Sequence, residues 1–239
     1  MSRPYLPVDS PKIRELRRRL QKPYEAEALE AWLFHRRISI YITNVILPLR
    51  SVRPNHITLL ALFIAVAGTL GIWFVADPYQ AVLALVIYHL AYLLDVIDGE
   101  LARARKQYSR RGVWADRVLS EAMSALAVSA GLLVWLDHLP VWAGGFILLP
   151  LALRSGARAA FEQLSPSEKG SPMRAAKQRS LALNLLSLAS SPGGFILWLF
   201  AGQLLRAPQV ALVFGVSFLW MSTIYQMLFF WRTLGEGEP

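Results

Sequence analysis

The sequence predicts an all-α integral membrane protein, with six transmembrane helices preceded by an amphipathic helix on the cytoplasmic surface. Three observations predict it. Hydrophobic residues make up 55% of the 239 residues, and they gather in long blocks. Six of these blocks reach the length of about 20 residues that a helix needs to cross hydrocarbon. The Lys and Arg residues cluster between alternate blocks, as they do when one side of a membrane retains them. A soluble helical protein buries one or two such helices; six in series are hard to hide.

The elements follow in chain order. Ser10-Pro11 supplies an N-cap and a first-turn proline for a helix through the basic stretch to Lys22, which Pro23 ends. A second helix, over 25–47, mixes Trp32, Phe34, Ile38, Ile40 and Ile46 with Arg36 and Arg37. The paired arginines fall mid-segment, so this helix is expected to lie on the cytoplasmic face instead of spanning. Pro48 and Pro54 break the chain before the first span. The expected domains are therefore 1–53, juxtamembrane, and 54–239, transmembrane. The spans are expected at 56–76, 80–103, 113–136, 140–160, 180–204 and 208–230. Gly and Pro inside several of them are tolerated where neighbouring helices satisfy the backbone.

Charge orients the chain. The basic groups lie before span one, between spans two and three, and between spans four and five. The turns 76–80 and 137–141 carry no Lys or Arg, and the last such turn carries only Arg206. This alternation predicts a multi-pass cell (inner) membrane protein with both termini cytoplasmic. Topology and anionic lipid account for the net charge of +9, with no nucleic-acid partner. The absence of cysteine excludes disulfides and thiolate metal ligands. The polar, basic first residues do not resemble a cleavable signal, and no internal repeat is visible.

The chemistry is expected where spans two and three meet the cytoplasm. Asp95 and Asp98 stand i, i+3 at the end of an apolar run, on one helical face, as two carboxylates sharing a divalent cation would. Asp116 follows after the basic loop 103–111 and Gly112. Hydrocarbon costs roughly 2.5–3.5 kcal/mol or more per ionised side chain, so acids at the mouth of a membrane helix generally have a task. Gly99, Ala102 and Gly112 permit close approach of a helix or ligand, and Arg103 lies two turns beyond Asp95. A cation beside a guanidinium suits a diphosphate. A lone pair of acids near a helix end is, by itself, most often solvated or salt-bridged.

The run Asp95, Asp98, Gly99, Ala102, Arg103, Gly112, Asp116 resembles the D-x-x-D-G-x-x-A-R…G-x-x-x-D-x-x-x-D pattern of the CDP-alcohol phosphotransferase family. Pro54-Asn55-His56-Ile57-Thr58 resembles that family's P-N-x-[IV]-T start of the first span. Together with the six-span layout, the likeness covers most of the chain. It implies a membrane transferase that moves a phospho-alcohol or phosphatidyl group from a CDP-linked donor to an acceptor hydroxyl, with release of CMP. It further implies Mg²⁺ (or Mn²⁺) held by Asp95, Asp98 and Asp116. A CDP pocket would be formed by Asn55, Thr58, Asp98, Gly99, Ala102, Arg103 and Gly112, with a cytoplasmic active site and a homodimer. For Asn55, simple helix capping is an equally good reading.

One position departs from the pattern. The family's fourth aspartate belongs four residues after Asp116, where Ser120 stands. A serine hydroxyl is a weak Mg²⁺ ligand and a poor base near neutral pH, and Glu121 points about 100° further round the helix. Asp116 and Ser120 are the expected catalytic positions. Ser120 is compatible with another base, with a nucleotide-binding homologue of low turnover, or with an introduced substitution. Arg154 and Arg158, i, i+4, together with Lys177 and Arg179, suit a phosphorylated acceptor or act as plain positive-inside anchors. The rival class is an ion-coupled transporter, which wants its acids near the bilayer midplane.

Overall fold

The computed structural model describes residues 8–23, 29–75, 79–107, 109–138, 144–164 and 181–235, and those residues are helical with connecting turns and no strand. The chain divides into two compact units, Met1–Leu126 and Ala127–Pro239. Among the described residues, three helices are long and apolar enough to cross a bilayer: Pro54–Phe74, Tyr79–Arg105 and Pro208–Leu234.

The first unit begins with α1 (Pro11–Leu20), capped by the Ser10 hydroxyl, which accepts from the Ile13 amide at 3.3 Å. Its apolar face of Ile13, Leu16 and Leu20 packs with Ile40 from α2 (Arg36–Ile46). A π-helical turn, Ala31–His35, leads into α2. Next come α3 (Pro54–Gly71), extended by one 3₁₀ turn to Phe74, and α4 (Tyr79–Arg105). α3 and α4 approach closely at Gly68, where an added Cβ would stand 2.4 Å from a methyl of Ile87. α4 ends where Lys106 takes a φ of 54° and the Gln107 amide turns back to the Ala102 carbonyl at 3.0 Å. α5 (Arg110–His138) starts at Ser109, whose hydroxyl accepts from the Gly112 amide at 2.9 Å.

Buried polar groups fasten α1 and α2 to α4. Glu100 is fully buried and accepts from Arg36 (3.0 Å), Gln21 (3.0 Å), Ser39 (2.7 Å) and Thr43 (2.7 Å). Arg17, also fully buried, pairs with Asp9 at 2.8 Å and donates to the carbonyls of Arg36 and Arg37. Arg105 donates to the carbonyls of Leu47 (3.1 Å) and Leu49 (2.9 Å), groups that the end of α2 leaves without helical partners. The basic residues around α4 therefore cap helices as well as mark a membrane side.

The second unit holds α6 (Gly145–Leu164), α7 (Leu181–Ala189), α8 (Pro192–Leu204) and α9 (Pro208–Gly235). The block 180–204, expected as one span, is two helices. Ser191 caps α8 by accepting from Gly194 at 3.0 Å, and Pro192 in the first turn has no amide to continue α7. Pro150 lies inside α6 and deprives the Phe146 carbonyl of its helical donor. The Trp220 indole of α9 donates to that carbonyl at 3.1 Å, and the Thr223 hydroxyl lies 3.2 Å from the carbonyl of Pro150. The same two helices stack Phe161 on Phe230 with centroids 4.3 Å apart.

Candidate active site

The cytoplasmic-side expectations from spans one to three all fall in the first unit, around the end of α4 and the start of α5. Asp98 is buried and accepts from the Thr58 hydroxyl of α3, an unusually short contact. One turn earlier, half-buried Asp95 comes within hydrogen-bonding reach of Asp116 on α5 and lies in the fields of Asp98 and Lys22. Asp98 feels Asp116, Arg103 and Lys22. The three acids thus face one another from two helices, because i, i+3 spacing turns Asp95 and Asp98 to one side of α4.

Their convergence is looser than a preformed chelate. Among the described residues, the group of three histidine or acidic side chains whose ligand atoms all lie within 4.8 Å of one another is Glu30, His35 and His89. Thr58 holds Asp98, while Asp95 sits at Asp116. Three like charges left without a counter-ion separate in this way.

The small residues surround the acids as the spacing predicts. A Cβ at Gly112 would stand 3.0 Å from Asn55 Oδ1 and 3.1 Å from Ser109 Oγ. Asn55 does not cap α3, since the N-cap is Arg53; its amide reaches across to Ser109 at 3.4 Å and ties α3 to the start of α5. A Cβ at Gly99 would stand 3.2 Å from Arg103 Nη1, so the guanidinium folds back over the glycine. Arg103 Nε also donates to the Leu20 carbonyl at the end of α1, which fixes the arginine between the first helix and the acids. Ala102 is half-buried on the same stretch. His56 is exposed, and its ring accepts from the Arg53 amide at 3.4 Å, a capping contact.

Ser120 is exposed one turn beyond Asp116, and its carbonyl accepts from Ser124 at 3.0 Å. Glu121 pairs with Arg117 at 3.7 Å on the exposed side of α5 instead of standing in for an acid at position 120. Of the residues expected to meet an acceptor, Arg154 belongs to the second unit and donates to the Ser190 carbonyl at 3.1 Å, at the end of α7. Arg158 is exposed on α6, and Lys177 and Arg179 lie outside the described residues.

Several residues of consequence were not singled out from sequence. Lys22, just past α1, extends its charge to Asp95 and Asp98. Glu100 sits inside the motif but on the other side of α4, where it holds the N-terminal helices. His89 interrupts an apolar stretch of α4, and an ionisable residue there was the available signal.

Comparison with known families agrees with this geometry. A family model described as CDP-alcohol phosphatidyltransferase matches residues 51–235, from the turn before α3 to the end of α9. No curated protein compared with the chain matches it.

Proposed function

The chain belongs to the CDP-alcohol phosphatidyltransferase family, and we propose from that premise that it moves a phospho-alcohol or phosphatidyl group from a CDP-linked donor to an acceptor hydroxyl. With its apolar helices, it is an integral membrane protein. The observation that carries the proposal is the meeting of Asp95 with Asp116 across α4 and α5, beside an Asp98 that Thr58 holds.

The oxygen donors of Asp95, Asp98 and Asp116 suit Mg²⁺ or Mn²⁺, and carboxylates brought this close call for a cation between them. When bound there, such an ion would neutralise charge on the donor's diphosphate. Arg103, folded over Gly99, presents a guanidinium to the same diphosphate. Gly112, against Asn55 and Ser109, leaves room for the nucleotide to approach the backbone of α5. The acceptor oxygen attacks the β-phosphorus, the bond from that phosphorus to the CMP oxygen breaks, and CMP departs with the electron pair. The exposed carboxylate of Asp116 receives the acceptor's proton, with Ser120 one turn away on the same helix face. Arg154, Arg158, Lys177 and Arg179 are proposed to attract a phosphorylated acceptor. The charge alternation supports a site and termini on the cytoplasmic side.

A second reading has its own observation. Ser120 in place of a carboxylate favours a homologue that binds CDP or CMP and turns over slowly. Titration of the purified protein with CMP, with and without Mg²⁺, tests the binding common to both readings; its absence, together with ion flux in vesicles, would instead identify a transporter. Assay of CDP-linked donors with the wild type and Ser120→Asp then separates the two. Higher turnover in the variant marks the serine as the impairment. High turnover in the wild type, unchanged by the substitution, shows that the position is dispensable.

A further inference from the structure

We propose that Glu30, His35 and His89 form a second metal site, separate from the aspartates, that takes a borderline transition-metal ion such as Zn²⁺ and pins the juxtamembrane helix to the spanning helix α4. His35 Nε2 and His89 Nδ1 are 3.2 Å apart, and His89 Nδ1 is 3.8 Å from Glu30 Oε1. Tetrahedral zinc with ligands at about 2.0–2.1 Å spaces those ligands about 3.3–3.4 Å from each other. The observed separations bracket that value without rearrangement. Two imidazoles and a carboxylate are a donor set for zinc, iron, cobalt or nickel, and not for magnesium.

The local backbone is bent to make this set. In an α-helix, residues five apart point about 140° away from each other. Glu30 and His35 are five apart, and the π turn Ala31–His35 bonds i to i+5, so it stacks them one above the other. Isolated π turns cost helix geometry and recur at functional sites. Without this one, His35 would not meet Glu30 and His89 together.

The surroundings fit a ligand set as well. Glu30 and His35 are each only 4% exposed, while the His89 side chain is 33% exposed and leaves a route for an ion. The Tyr88 hydroxyl donates to Glu30 Oε2 at 3.3 Å, orienting the carboxylate from behind. Tyr92 packs on the His35 ring with centroids 4.4 Å apart. Nδ1 of His35 is buried and forms no well-shaped hydrogen bond, although the Glu30 backbone lies close enough to influence the ring. Burial also lowers the pKa of His35 to about 4, with His89 adding to the effect, which leaves the ring neutral and its lone pair available. Ionisable groups at this depth on a membrane helix are costly unless they are paired or liganded.

The test uses full-length, tag-free protein in detergent, stripped with chelator, reloaded with Zn²⁺ or Co²⁺ and desalted. The expected result is one Zn²⁺ retained per chain and an intense visible Co²⁺ spectrum of tetrahedral type. His89→Gln, at the partly exposed ligand, is expected to reduce retention at least tenfold, while Asp98→Asn leaves it unchanged. Should His89→Gln fail to fold, X-ray absorption of zinc in the wild type decides, with two imidazole ligands expected. No retained metal, retention indifferent to His89→Gln, or a zinc shell without imidazole would overturn the proposal and leave a plain hydrogen-bonded histidine pair. None of these readouts depends on transferase turnover.

Discussion

Arg36 donates to Glu100 at 3.0 Å where neither side chain meets solvent, with side-chain exposures of 5% and 0%. Glu100 follows Asp98 by two residues, which turns it about 200° round α4. One turn of helix therefore offers a carboxylate to the candidate site on one side and a carboxylate to the N-terminal helices on the other. Four donors surround Glu100, so its charge is matched by hydrogen bonds as well as by Arg36.

Removing one partner of a buried ion pair strands the other, at a cost of about 3–5 kcal/mol. Glu100→Ala is expected to lower the thermal stability of the detergent-solubilised protein by that order and to expose the segment around α1 to protease. Glu100→Gln keeps an acceptor but not the charge, and should fall between. Equal melting curves for wild type and Glu100→Ala would show that the N-terminal helices do not depend on this carboxylate.

Thr58 bears on the site directly. Thr58→Val removes the hydroxyl that Asp98 accepts from while keeping the shape, and a hydrogen bond to a charged group is worth about 1.5–3 kcal/mol. Transferase kcat/KM is expected to fall by roughly tenfold or more, and Thr58→Ser should restore most of it. A Val variant as active as wild type would mean that Asp98 needs no such partner during turnover.

At Gly68, a Cβ would lie 2.4 Å from one Ile87 methyl and 2.8 Å from another side-chain carbon. Gly68→Ala should therefore destabilise the α3–α4 pair by about 1–3 kcal/mol through overpacking. Ile87→Ala clears the obstruction, so the double variant should be more stable than the sum of the single changes implies. Additive melting shifts across that cycle would show that the helices do not meet at these two residues.

The second unit offers a comparable cycle. Trp220→Phe leaves the Phe146 carbonyl without its donor, at a cost of about 1–3 kcal/mol. Pro150→Ala returns an amide to α6 and gives that carbonyl a helical partner again. In the Pro150→Ala background, Trp220→Phe is expected to cost markedly less, as read from unfolding temperatures. The same loss in both backgrounds would indicate that the indole contributes packing alone.

The strongest sequence signals concern the first unit. The caps and breaks at Ser10-Pro11 and Pro54 fall where α1 and α3 begin, because a proline's missing amide is harmless only in a first helical turn. Asp95, Asp98, Gly99, Arg103, Gly112 and Asp116 lie along one junction, since i, i+3 and i+4 spacings settle which side of a helix each residue shares. The break at Ser191-Pro192 was less visible, because the hydrophobicity of 180–204 is uninterrupted and two helices look like one to a composition measure. Glu100 and the Glu30–His35–His89 group were not legible, because their partners lie tens of residues away along the chain.

Local order alone therefore accounts for the helices, the apolar lengths that call for a bilayer, and the side of α4 that carries Asp95 and Asp98. These depend on the 3.6-residue period and on caps, which act within a few residues. Folding in three dimensions settled what the opposite side of α4 does, since it is α1 and α2 packing there that turn Glu100 into a brace and bring His35 to His89. No periodicity within α4 specifies which distant segment will cover that side; the pairing emerges when the buried charges of one helix find the donors of another.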